Sequence, residues 1–88
     1  MTVTVKLSKA IEDAGKTYTE LTFREAELGD LIAADHMQGE LGKTAAVIAG
    51  MAGVPLPAIR KLSMRDMNKI MKAVEPLMGN EPEPETGD

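Results

Sequence analysis

The chain has 88 residues and a net charge of −4, with no cysteine, no tryptophan, one tyrosine and one phenylalanine against seven methionines. A chain this short is at most one small domain and buries only about 60 to 65% of the surface its unfolded form exposes, which excludes multi-domain enzyme architectures. With Tyr18 and Phe23 as the whole aromatic stock, the fold invites support from an oligomer or a partner.

Without cysteine there is neither a disulfide nor a thiolate ligand, and His36 alone cannot build an imidazole site. No metal and no cofactor are expected. The first ten residues, MTVTVKLSKA, lack an apolar core behind basic residues, and no apolar run approaches the roughly 18 to 20 residues of a membrane span. Secretion and membrane insertion are therefore not expected, and the cytoplasm is the natural compartment.

The charges are segregated. Residues 1–42 carry eight acids against four bases, residues 43–80 carry six bases against Asp66 and Glu75, and the tail adds Glu81, Glu83, Glu85 and Asp88. Halves of opposite sign can attract one another within the fold or between subunits. The tail has no large apolar residue, so residues 80–88 read as a disordered acidic extension of a single domain over 1–79.

Val3, Val5 and Leu7 alternate with polar residues, as do Leu21 and Phe23, and this period of two predicts two strands. The acidic stretch Glu12–Lys16 with Gly15 reads as the connecting loop of a hairpin over 2–23. A two-stranded hairpin is barely stable alone, so its Val3/Val5/Leu7 and Leu21/Phe23 face must lie on the helices predicted over 27–79.

From Glu27 the period changes to that of a helix, with Leu28, Leu31 and Ile32, and then Asp35/His36, at i, i+3, i+4 and beyond, the kind of stripe an amphipathic helix ordinarily turns to the core, and an end near Met37 or Gly39. A second helix over Lys43–Met51 is small and apolar on nearly every side and belongs at the centre of a bundle, with Gly53 as its stop. After Pro55 and Pro57 a brief helix covers Ala58–Leu62. Ser63 and Asp66 have capping-box spacing for a last helix, whose stripe is Met64, Met67, Ile70, Met71, Val74 and Met78, closed by Pro76 and Gly79. The fold class is thus α+β: an N-terminal two-stranded hairpin packed on a small bundle of three to four helices.

The chemistry available is thin. Ser8, Ser63 and His36 have nothing arranged to activate a nucleophile, and Asp35 beside His36 faces another direction on a helix. Glu25, Glu27 and Asp30 could suggest a divalent ion, but acids in a first turn are already explained by the helix dipole. No catalytic residues are assigned. Methionine is flexible and polarizable and serves surfaces that accept irregular apolar partners. Met64, Met67, Ile70, Met71 and Val74 are therefore the expected partner face or self-association face, with core packing as the competing use. Lysine at Met67 and Met71 together separates them: loss of partner binding in a folded protein means a surface, and loss of the fold means a core.

Residues 45–62 also have the look of a helix-turn-helix unit, the alternative being a small DNA-binding regulator. Its second helix offers Arg60 and Lys61 but no Asn, Gln, Ser or Thr at its start, and the chain is acidic overall, so nucleic acid is disfavoured as a partner.

Taken as one string, residues 3–78 resemble the small tail assembly chaperones of contractile-tailed bacteriophages. The resemblance lies in the N-terminal hairpin, the junction Leu21-Thr22-Phe23-Arg24-Glu25, then Gly29-Asp30-Leu31, a small-residue apolar helix, and Val54-Pro55 before Ala58-Ile59-Arg60-Lys61-Leu62-Ser63 with Asp66 and Ile70. Ala26 stands where proline is common in that family, and Leu77 and Met78 where an aromatic is. The resemblance implies a non-enzymatic protein of the host cytoplasm, absent from the mature virion, that coats the hydrophobic tape measure protein until the tail tube forms around it. It also implies a longer form of the same polypeptide made by programmed frameshift, in which another domain replaces the acidic tail. Within the family layout Arg24 is expected to pair with Asp30 or Asp35.

Overall fold

The structure, a computed structural model, describes residues 1–79; the acidic segment 80–88, expected to be disordered, lies outside the described residues. Two antiparallel strands, β1 (Thr2–Asp13) and β2 (Lys16–Arg24), form the hairpin. Four helices follow: α1 (Leu28–Ala34), α2 (Glu40–Ala52), α3 (Leu56–Ile59) and α4 (Met64–Ala73), and then a 3-10 turn over Glu75–Met78. The α+β expectation holds. None of these helices is long and apolar enough to cross a membrane.

The hairpin loop is shorter than the sequence predicts. Glu12 pairs with Thr17 and Asp13 with Lys16, leaving Ala14 and Gly15 as a two-residue turn. Both have positive φ, 53° and 80°, the signature of a type I′ turn, whose twist matches that of the strands it joins. The ladder therefore runs to its tip.

Its middle is irregular. Lys6 faces Glu20 and Ile11 faces Tyr18, so Leu7, Ser8, Lys9 and Ala10 stand opposite Thr19 alone. Extra residues in one strand leave N–H groups without ladder partners. Across the interruption Val5 and Ile11 are both buried while Lys9 is exposed, whereas unbroken alternation would have turned the Lys9 side chain inward with them.

Helix boundaries also move. The second helix starts at Glu40 rather than Lys43, and the first ends at Ala34. α3 begins before Pro57 instead of after it, because a proline in a first turn gives up an N–H that had no helical partner anyway. Gly53 ends α2 with a φ of 68°, and Val54 N–H closes the cap on the Ala49 carbonyl at 3.1 Å.

The helices cover one face of the hairpin, α2 against β2 and α3 and α4 against β1, while α1 lies against α2. Val5, Leu21 and Phe23 from the sheet meet Ile48 and Met51 of α2, Ile59 of α3, and Met67, Ile70 and Val74 of α4 and its end in one buried cluster. Leu77 closes it from the 3-10 turn, whose carbonyl at Leu77 accepts the Ala26 N–H at 2.8 Å. A proline at position 26 would have no N–H to donate.

Candidate functional site

Two polar anchors decide which apolar residues remain on the outside. The first joins β2, α1 and α2. Arg24, at the end of β2, donates from both terminal nitrogens to the Asp30 carboxylate at 2.9 and 3.0 Å, and Nη2 also donates to the Gly50 carbonyl at 3.0 Å. Asp30 also caps its own helix, accepting from the Glu27 N–H at 2.8 Å. Such a two-pronged ion pair fixes orientation as well as distance. The guanidinium hydrogen bonds hold the Asp30 carboxyl below the usual carboxylate range and raise Arg24 in turn. Both carboxylate oxygens are thus occupied by Arg24, and of the two partners expected for this arginine, Asp30 and Asp35, it takes Asp30.

The second anchor joins β1 to α4. Asp66 is fully buried, and its carboxylate accepts from the Ser8 N–H at 2.9 and 3.1 Å, the Ser8 hydroxyl at 2.9 Å and the Lys9 N–H at 3.2 Å. The N–H groups released by the strand irregularity are therefore satisfied by a helix-start acid 58 positions later in the chain. Its own N–H donates to Ser63 Oγ at 3.1 Å, the expected cap. The box is half-formed, since the Asp66 side chain goes to the strand rather than back to Ser63. These donors, the Ser8 N–H foremost, hold the Asp66 carboxyl low despite its burial. The clue in the sequence was Lys9, placed where a period of two demands an inward side chain.

The first anchor overturns the expected orientation of α1. With Asp30 and Ala34 turned inward, Leu28, Leu31 and Ile32 lie on the outer side and are 72%, 55% and 60% exposed. Asp30 and Leu28 are two residues apart and so about 200° apart around a helix, which means the buried ion pair and the apolar stripe cannot share a face. The ion pair takes the inside.

A second apolar surface lies across α2. Leu41, Gly42 and Ala45 of α2, Ile59 with Arg60 and Leu62 around the end of α3, and Met64 and Met67 of α4 line an open groove of about 290 Å³. Leu41 and Met64 are 60% and 59% exposed at its rim. On the other side of α2 a more polar depression of about 360 Å³ is lined by Leu31, Asp35, Glu40, Lys43, Thr44 and Met78, among others.

Of the five residues expected to face a partner, Ile70 and Val74 are fully buried and Met67 nearly so, Met71 is half-buried, and Met64 stands in solvent. The stripe of α4 is mainly the surface by which that helix lies on the hairpin. Met64 and Met67 meet in the groove, Met67 as its floor. Leu41, Leu62 and the α1 stripe form surface that periodicity does not reveal, because it marks an apolar face without saying whether the fold covers it. α3, the second member of the helix-turn-helix reading, is four residues long with Ala58 and Ile59 buried, too short and too enclosed to lie in a major groove. Lys61 is spent within the fold, donating to the Glu12 carbonyl and lying 3.5 Å from Asp13.

No curated protein matches the chain. No solved structure matches it either. A family model described as "Phage tail assembly chaperone proteins, E, or 41 or 14" matches residues 4–79. That span takes in the hairpin from Thr4 onward, both anchors and every helix among the described residues, and the chain belongs to this family of phage tail assembly chaperones.

Proposed function

We propose that the chain binds the tape measure protein of its phage and keeps it soluble during tail assembly, working in the host cytoplasm, without catalysis, and leaving before the virion is complete. The observation that carries this reading is the unpartnered apolar surface of an otherwise well-satisfied fold: five large aliphatic side chains, Leu28, Leu31, Ile32, Leu41 and Met64, are each more than half exposed. Exposed apolar patches such as these, one on α1 and one at the groove, mark interaction sites on a small protein. A groove with a methionine rim suits the apolar face of a helix and tolerates sequence variation along it, as a protein that coats a long client requires.

Coexpression with the tape measure protein tests this. The wild-type chain is expected to hold the client in the soluble fraction and copurify with it, and Met64→Lys with Leu41→Lys to remain folded while losing both effects. A client that is equally insoluble with and without the wild-type chain would sink the reading. We also propose a longer frameshifted form that shares residues 1–79. The gene sequence across the last codons tests it: a slippery heptamer with an overlapping downstream frame is expected, and an uninterrupted single frame would refute it.

A further inference from the structure

The outward side of α4 is basic. Arg65, Lys69 and Lys72 are exposed and stand four and three positions apart, so they share one stripe of the helix. Most other bases have acids beside them: Arg24 holds Asp30, Lys61 lies against Asp13, Lys6 and Lys16 stand opposite Glu20 and Asp13 in the hairpin, and Lys43 shares its depression with Asp35 and Glu40. The one carboxylate of α4, Asp66, is buried and already accepts from Ser8 and Lys9, so Lys69 at 4.0 Å gains little from it. Among the described residues, Arg65 and Lys72 have no acid within 4.0 Å. Like charges at this spacing repel, and the stripe is relieved by an anion laid along it. We propose that Glu81-Pro82-Glu83-Pro84-Glu85 of the same chain lies along this stripe antiparallel to α4, with Glu81 toward Lys72 and Glu85 toward Arg65.

The occupant follows from charge, spacing and tether. Along the helix axis the three bases recur about every 6 and 4.5 Å. Proline fixes its own φ and restricts the residue before it to extended backbone, where alternate residues recur about every 6 to 7 Å. Three carboxylates spaced by Pro82 and Pro84 therefore step along α4 at nearly the pace of its three bases. The tether is short. From Lys72 back to Arg65 is about 10 Å, and the 3-10 turn of Glu75–Met78 adds about 8 Å at most. The six residues from Gly79 to Glu85 reach about 20 Å before side chains are counted. Gly79 itself, at a φ of 73°, is left-handed, so the chain does not run on along the turn's axis. Exposed ion pairs are weak singly, but a joined chain holds them at high effective concentration, and their contact yields to salt. Occupied in this way the stripe is neutral, and a polyanion has to displace the segment to reach it. The apolar groove is not involved, so the contact stands whether or not a client occupies that groove.

Paramagnetic relaxation on the full chain tests it without any client. The chain has no cysteine, so Thr86→Cys offers a single site for a nitroxide label, one residue beyond Glu85. At low salt the amide signals of the isotope-labelled chain are expected to lose most intensity around Arg65 and at Lys9, whose N–H is bonded to Asp66 at the start of α4. High salt should restore them. So should Glu81→Gln/Glu83→Gln/Glu85→Gln in the same labelled chain, changes that lie outside every helix and leave the rest of the spectrum in place. A segment that merely hangs from Gly79 would act most on its own attachment, around Met78 and the Leu31 that lies near it. That pattern would overturn the proposal, as would a loss at Arg65 that survives high salt or the three glutamines. A loss seen only when the nitroxide is on one chain and the isotope on another would also overturn it, because the segment would then belong to a second copy.

Discussion

Single positions in this chain carry conformational constraints that a substitution can expose. Ala14 is the one non-glycine residue with positive φ among the described residues, at the first central position of the hairpin turn. An L-residue there is strained by about 1 kcal/mol, and asparagine tolerates the conformation better. Ala14→Asn is expected to stabilise the fold by about 0.5 to 1 kcal/mol, read as a rise in Tm of roughly 2 to 8 °C. A fall in Tm would show that the turn does not adopt this geometry in solution.

Gly50 is constrained by space rather than by φ. A Cβ there would sit 2.5 Å from Asp30 Oδ1, and that carboxylate cannot withdraw while Arg24 holds both its oxygens. Glycine to alanine inside a helix ordinarily gains about 0.5 to 1 kcal/mol. Here the overlap dominates, and Gly50→Ala should instead cost about 1 to 3 kcal/mol in chemical denaturation. In an Asp30→Ala background the same change should recover the ordinary gain, and two additive single effects would contradict the crowding.

At the scale of elements, the two anchors set how helices meet strands. Asp66→Asn keeps the shape of the side chain but loses the charge that Ser8 and Lys9 donate to, and should cost about 1.5 to 3 kcal/mol of unfolding free energy, measured by urea denaturation. The pH dependence has a definite sign. Asp30 and Asp66 both titrate lower in the folded chain than in the unfolded one, so the folded state binds fewer protons. Their stabilisation is complete above the ordinary carboxylate value of about 3.9 and drains as pH falls below it. Urea midpoints taken from pH 7 down to 3 should fall less steeply in Asp66→Asn than in wild type, and parallel slopes would mean that Asp66 contributes nothing to the acid limb.

Elements differ in how legible they were in the sequence. The strands, the central α2, the stop at Gly53 and the cap at Ser63 follow from local rules, since period, φ preference and capping geometry act within a few residues. The rotation of α1 does not. Its apolar stripe has normal core spacing, and only the preference of Arg24 for Asp30 over Asp35 turns that stripe outward. The pairing of Arg24 with Asp30 is by itself enough to orient the helix, because Asp35 lies on the face of the apolar stripe and Asp30 does not.

For the molecule as a whole, the question is which apolar residues hold the fold and which meet a partner. Met67→Lys places a charge in the cluster beneath the hairpin and should cost more than about 3 kcal/mol, enough to unfold much of a chain this small, whereas Met64→Lys at the groove rim should leave Tm within a few degrees of wild type. Thermal melts by circular dichroism separate the two, and equal losses would mean that the groove is closed in solution.

The sequence by itself determined the class of fold, the order of its elements, the family to which its motifs point, and the poverty of its catalytic and metal-binding groups. Those features depend on composition and on spacings of a few residues. What only the tertiary structure decided is the division of a single apolar repertoire between inside and outside. Ile70 and Val74 went under the hairpin because Asp66 ties α4 to the irregular stretch of β1, and Leu28, Leu31 and Ile32 went to the surface because Asp30 had to face Arg24. Each choice is made by a hydrogen-bonded carboxylate whose burial is tolerable only with its partners in place, so the polar contacts, more than hydrophobicity, set which apolar face is left for another chain.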